Sequence, residues 1–500
     1  MTRFRRPLRA ACTLAAAALA AAVAAPAQAA PTTWPTARPT AAPSTAPSIA
    51  PNVTERVSVG PDQAQATGAS ESRGLSADGR FAVFTSEAVD LVPGDTNAKS
   101  DVFVRDLWTG HTERVDTGPD GVQADGDSYE AAISGDGRYV VFSSTAANLT
   151  PGADLGYQNV YVHDRQSGQT RLVSVGKAPG VPQTDSLSGV PSISWDGRYV
   201  AYQSSRSDLV PDTATRGGNI YVTDQWTGDT RLVSVGADGT AADASSTTPE
   251  ISADGNTVVF ISKATNLIGQ GRPGALAPNA VAELKAGSDR QFVADSFHHE
   301  SRQVSRHETR AEILKPSLYP LYVRDLRTER TSLASEDGSG GFRGASDPSV
   351  SPDGRYALYS SWVVHGDTSW DRHFEVYVRD LSTGTETLVS AGLPGTTTTL
   401  DSHGARMTAD DRWVFFDSTA ENLVPGDTNN AGDVFRYDLW TGRTERVSLA
   451  SDGSQNSGAS SSPFVDAFGT TLVFTSSDGT LVPGDTNGVD DVFLRRLPPL

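Results

Sequence analysis

The spacing D-x-N-x3-D occurs three times, each time in a loop reading P-G-D-T-N, and it brings oxygen-bearing side chains close enough to gather around an ion. Asp95, Asn97 and Asp101 form one set, Asp427, Asn429 and Asp433 a second, and Asp485, Asn487 and Asp491 a third. Calcium, a hard cation, takes about six to eight oxygen ligands, so three side chains per loop leave the shell half filled. The denser D-x-D-x-D-G pattern of committed calcium loops is missing, and Asx turns closing a tight loop use the same residue types. These nine residues therefore read either as weak calcium ligands or as turn caps. No other cofactor is expected.

A second group is marked by breaking an internal repeat. Six residues before the first-strand serine of each repeat, or its equivalent, stand Ser70, Ser128, Ser188, Ser246, Ser402 and Ser460, with Ala345 in the remaining copy. Such hydroxyls either line a mouth or cap their own turns, and capping is the expectation. Beside them the repeat gives way to Glu71, Arg73, Asp127, Tyr129, Glu130, Asp347, Asp401 and His403. Ligand contacts collect on loops that a rigid scaffold projects, so these eight are the candidate ligand-binding residues.

Catalytic patterns are scarce. His298, His299 and His307 lie with Glu300 and Glu308 in HHESRQVSRHE, which lacks the H-E-x-x-H spacing of a helical zinc site. No G-x-S-x-G nucleophile elbow and no phosphate loop occurs. Carboxylates are abundant, and a pair across a channel would serve as acid and base in glycan cleavage. The expectation is a non-enzyme with no catalytic residues, the alternatives being a channel-sited glycan lyase or glycosidase and a structural cell-envelope component.

The elements that position these groups come from one repeated unit. It begins at Leu75 as LSADGRFAVFTSEAVDLVPGDTNAKSDVFVRDLWTGHTERVD, then again from Ile133, Ile193, Ile251, Val350, Met407 and Val465. The Asp-Gly turns step by about 58 residues apart from one longer gap, which marks an insertion at about 268–318. Each unit alternates apolar and polar residues in short runs separated by turn residues, giving four antiparallel strands. That is one propeller blade. The last unit ends at DVFLRRLPPL without a fourth strand, whereas Thr54–Gly60, TERVSVG, is a fourth strand without a blade. Pairing the two closes a ring of seven blades and leaves no open edge at the seam.

Before the propeller (53–500) the chain reads as a signal peptide over 1–29 and a Pro/Thr/Ala-rich linker over 30–52. Arg3, Arg5, Arg6 and Arg9 precede an apolar run too short to span a bilayer, ended by an A-x-A site. The expected location is outside the cell, reached by the general or the twin-arginine route. The only cysteine, Cys12, lies within the signal, so the remainder depends on its core and not on disulfides. A net charge of −19 disfavours nucleic acid and anionic polymers. The expected partner is a protein, peptide or glycan, bound by a monomer without membrane insertion.

The segments SADGR, SGDGR, SWDGR and SPDGR, each followed by strands such as DVFVRDLWTG or NVYVHDRQSG, resemble the TolB-like, WD40-like β-propeller repeat family over about residues 54–497. The resemblance implies the same ring of four-stranded blades. It implies no single activity, because the family serves in envelope complexes, in sensors and as gates on peptidases.

Overall fold

The computed structural model describes residues 51–151, 157–176, 187–211, 217–269, 319–338, 341–364, 372–398 and 400–498. The segments read as signal peptide and, for the most part, as linker, together with His298, His299 and His307, lie outside these residues. Asn52, counted in the linker, already donates its N–H to the Arg496 carbonyl at 2.8 Å. Ile268, counted in the insertion, is buried in a blade core.

Blade 1 is built from strands Ser70–Leu75, Phe81–Ser86, Asp101–Asp106 and His111–Arg114, paired in that order. Blades 2 to 7 repeat this arrangement with innermost strands starting at Ser128, Ser188, Ser246, Ala345, Ser402 and Ser460. The seventh sheet runs Ser460–Val465, Thr471–Ser476, Asp491–Arg496 and then Thr54–Arg56, whose partners are Arg495, Leu494 and Phe493. The ring is thus a seven-bladed β-propeller closed as the sequence requires. Among the described residues no helix is long and apolar enough to cross a membrane.

Local chemistry sets each blade. The first turn needs a positive φ after aspartate, which Gly79 supplies at +68°, while blade 6 accepts Asp411 at +59°. Ser76 Oγ donates to Asp78 Oδ1 at 2.6 Å and accepts the Phe81 N–H at 2.9 Å. Arg80 then grips Asp106 at the end of the third strand with two hydrogen bonds, at 3.1 and 2.7 Å. The alternating strands turn one aromatic pair into each blade: Phe84 on Phe103, Phe142 on Tyr161, Tyr202 on Tyr221 and their equivalents. These pack against the neighbouring blade, so each core cluster draws on two blades.

A belt of backbone hydrogen bonds runs around the channel. The residue after the first-strand serine passes its N–H to the next blade: Ala77 to Gly135, Gly135 to Trp195, Trp195 to Ala253 and Ala253 to Pro352, then Ala409 to Ala467 and Ala467 back to Ala77, all 2.9–3.0 Å. Pro352 has no N–H to give, so the step to blade 6 is the missing one.

Antiparallel meanders put the first-to-second and third-to-fourth turns on one face of the ring. The longer second-to-third loops and the blade-to-blade connections lie on the other. They are the turn face and the loop face below.

Candidate functional site

At the loop face, each innermost strand slips register near its third residue, a bulge found in all seven blades. In six of them that residue has a positive φ: Glu130, Val190, Thr248, Asp347, Gly404 and Ser462, between 46° and 66°. Bulges of this kind re-aim side chains and store backbone strain. Here they encircle the channel mouth.

The serine ring has a different role from either reading of the sequence. Ser70, Ser128, Ser188, Ser246, Ser402 and Ser460 are buried, each with its hydroxyl on that of Ser86, Ser144, Ser204, Ser262, Ser418 or Ser476 at 2.7–3.0 Å. They staple the first strand to the second, neither capping their own turns nor facing a ligand.

The eight candidate residues form separate groups. Arg73 donates to Glu71 at 2.8 Å and to Thr85 at 3.2 Å. Asp127 takes the Lys99 ammonium at 3.2 Å, and burial together with Asp127 pushes the Tyr129 hydroxyl up to about 12. Glu130 accepts Ser143 Oγ at 2.6 Å and the Val190 N–H at 2.7 Å, tying blade 2 to blade 3. Asp347, His403 and Asp401 converge where blades 5 and 6 meet. There His403 Nδ1 bonds Asp347 Oδ2 at 2.9 Å, and Asp401 accepts the Phe374 N–H at 2.8 Å.

Burial works against a charge on His403. The hydrogen bond and charge of Asp347, joined by Asp417 and Asp401, outweigh it and hold the imidazole up to about 9. Burial pushes Asp417, cross-strand partner of His403, up to about 6, with His403 opposing. Two aromatics complete the corner. Phe374 lies 4.7 Å from the His403 ring and Trp362 meets Phe374 edge-on at 4.9 Å. Both sit on central strands of blade 5 that run Tyr356–Val364 and Arg372–Asp380, nine residues instead of six.

Along the channel, a cavity of about 230 Å³ is lined by Arg73, Glu130, Trp195, Glu250, Arg406 and Phe464, among others. The Arg406 guanidinium lies over Phe464 at 5.0 Å and reaches Glu250 at 3.9 Å across the channel. Of these six, the sequence reading named Arg73 and Glu130.

The D-x-N-x3-D loops already hold a cation, and it is an arginine. Arg114 sits 3.4 Å from both Asp95 and Asp101, Arg446 at 3.0 and 3.2 Å from Asp427 and Asp433, and Arg56 at 3.0 and 3.4 Å from Asp485 and Asp491. The asparagines turn their amide N–H groups toward the last aspartate, at 2.9 Å from Asn97 and 3.0 Å from Asn429 and Asn487. Among the described residues no group of three or more His, Cys, Asp or Glu is arranged for a metal. In this arrangement the guanidinium lies between the two aspartates, and each asparagine presents an amide donor toward the last of them.

One blade departs from this scheme at a cost. Six blades carry serine on the fourth-strand side of the loop (Ser58, Ser174, Ser234, Ser335, Ser390, Ser448), where Ser448 donates to Asp433 at 2.6 Å. Blade 1 has Asp116, fully buried beside Asp101 with Oδ2 lacking a hydrogen-bond partner. Burial first, then Asp101, raise its carboxyl well above the usual range. A raised folded value means stability is full below the unfolded pKa and is lost as pH rises through the folded one. Asp116→Ser is therefore expected to stabilise the protein at pH 7 by about 1–3 kcal/mol. Denaturant melts should show that gain shrinking toward pH 4, and an equal gain at both pH values would refute the assignment.

No family model and no curated protein matches the chain. Solved structures do. Oligogalacturonate lyase from Vibrio parahaemolyticus is 12% identical, covering 89% of this chain and 97% of that one, with a TM-score of 0.49. TolB from Acinetobacter baumannii is 14% identical over 73% of this chain and 62% of that one, TM-score 0.37. The structural neighbours of this chain include TolB and another β-propeller protein. A puromycin-hydrolysing peptidase from Mycobacterium tuberculosis is 12% identical over 85% of this chain and 54% of that one, TM-score 0.45. At such identities the likeness concerns the fold alone.

Proposed function

We propose that the protein is a recognition scaffold that holds a protein, peptide or glycan at the loop-face mouth, with the blade 5–blade 6 corner as the main contact. One observation supports this reading: the charged groups of the mouth are already paired with neighbours in separate places, Arg73 with Glu71, Lys99 with Asp127 and His403 with Asp347, and these pairs do not meet at one point. A catalyst would instead aim its acid and base at one point. His403, held as an imidazolium at neutral pH, is a hydrogen-bond donor and a poor base.

The test is a screen of the full chain against immobilised peptides and glycans, repeated with Asp347→Asn/His403→Gln. The double variant is expected to lose at least tenfold in affinity, about 1.4 kcal/mol, with its melting temperature retained. Unchanged retention would remove the corner from the site. Because burial is outweighed by Asp347 and the folded imidazole titrates at about 9, the imidazolium pair is formed at neutral pH and lost as pH rises through about 9, so binding should fall on the alkaline side.

A second reading, glycan cleavage in the channel, is favoured by Asp417 alone, whose carboxyl near 6 lies beside an imidazolium donor. Glycan turnover abolished by Asp417→Asn would establish it.

A further inference from the structure

We propose that the turn face is a second binding surface, on which Trp108, Trp226 and Trp440 take a neutral polysaccharide. The three occupy the same position in the third-to-fourth turns of blades 1, 3 and 6, so all project from the face opposite the mouth. Trp440 is 71% exposed and Trp226 50%, the two largest exposed rings among the described residues.

Each indole is held rigid by the blade beneath it. Its backbone N–H donates to the aspartate ending the third strand: Trp108 to Asp106 at 3.0 Å, Trp226 to Asp224 and Trp440 to Asp438 at 2.9 Å. That aspartate binds an arginine, whose guanidinium stacks under the ring: Arg80 under Trp108 at 4.8 Å, Arg198 under Trp226 at 4.7 Å and Arg412 under Trp440 at 4.6 Å. A second aromatic, Phe81, Tyr199 or Trp413, closes the stack from below. One face of each indole rests on charge; the other is open to solvent in Trp226 and Trp440 and partly so in Trp108.

The fold does not require these rings. Blade 2 makes the same turn with Gln166, whose N–H donates to Asp164 at 3.1 Å, and blade 5 with Ser382, donating to Asp380 at 2.8 Å. Both keep the arginine clamp, Arg138 on Asp164 and Arg355 on Asp380. The tryptophans thus stand at positions where glutamine or serine makes the same turn.

Geometry and charge select the ligand. Rings a blade or more apart, with Thr109, Thr227 and Thr441 beside them, are isolated flat plates and not one apolar patch. A sugar ring offers an apolar C–H face to an indole and hydroxyls to the polar groups around it. A polymer repeats that offer, so a chain that reaches more than one plate gains by multivalency. The net charge of −19 opposes anionic polymers and anionic membranes alike.

The experiment is depletion of the full chain by microcrystalline cellulose, chitin and an insoluble β-glucan, with phosphatidylcholine vesicles alongside. Wild type should be retained by at least one polymer, and Trp226→Ala/Trp440→Ala should lose at least tenfold in affinity with unchanged melting. Gln166→Trp, which adds a fourth plate, should gain several-fold. Asp347→Asn/His403→Gln should bind the polymer as wild type does, which separates this surface from the mouth. Retention by none of the polymers, by vesicles alone, or equally by the double tryptophan variant would overturn the proposal.

Discussion

Deletion of residues 51–60 is expected to cost the protein its cooperative melt. The segment does more than add a strand to the seventh sheet. Its backbone exchanges hydrogen bonds with the last strand through Asn52 and Val57, at 2.8 and 2.7 Å, and the Arg496 N–H returns one to Val53 at 2.9 Å. Val57 and Val59 are buried, a loss of about 1.5–3 kcal/mol for each side chain returned to water. Arg56 neutralises Asp485 and Asp491, whose side chains are 5% and 0% exposed, and breaking a buried pair by removing one partner costs about 3–5 kcal/mol. Those losses together equal the whole margin of about 5–15 kcal/mol by which domains are stable. Circular dichroism melts should show a broad transition or none, with recovery when a peptide of residues 51–66 is added. A sharp melt within a few degrees of wild type would mean that the ring holds without its closing strand.

That strand shows how far the sequence could be read. The blade count, the closure and the turn grammar were legible because each follows from short local patterns copied seven times. The role of Arg56, Arg114 and Arg446 was written in the same repeat but needs two segments read together. The three units with D-x-N-x3-D are the three whose fourth strand reads T-E-R, while the others place Leu172, Leu232, Leu333 or Leu388 there. Loop and arginine lie 13 residues or more apart in blades 1 and 6, and at opposite ends of the chain in blade 7. Only the sheet pairing joins them. The same correlation independently assigns Thr54–Arg56 to blade 7.

The mouth was harder to read. A break in the repeat marks His403 and Asp347 but carries no pairing, since a cross-blade bond depends on which way each bulge turns its residue. Trp362 and Phe374 escaped notice because only the extra length of the blade 5 hairpin carries them to His403. Asp417 and Arg406 lie within alternating strands, where polar residues are ordinarily solvated. The turn-face tryptophans belong to the repeat, and they stand out only beside the blades in which glutamine or serine replaces them.

Arg446→Met is expected to destabilise the protein by about 3–5 kcal/mol and to make it respond to calcium. In the native loop, Asp427 and Asp433 are 2% and 1% exposed, and Arg446 spans both while its other nitrogen holds Gln455 at 2.8 Å. Burial and the charge of Asp433 already raise the Asp427 carboxyl, and Arg446 is what opposes them. Without the guanidinium, two buried carboxylates face each other across a gap of its size, so the loop must protonate, open or find another cation. Methionine fills the volume of the stem without the charge, which separates electrostatics from packing. Millimolar calcium should leave the wild-type melt unchanged and recover part of the variant's loss; magnesium, which demands tighter octahedral geometry and holds its waters, should recover less. A wild-type melt that rises with calcium would show that ion and arginine coexist in the loop. If the variant melts like wild type, the ion pair contributes nothing to stability, and the shared occurrence of arginine and aspartate in blades 1, 6 and 7 must then reflect register alone.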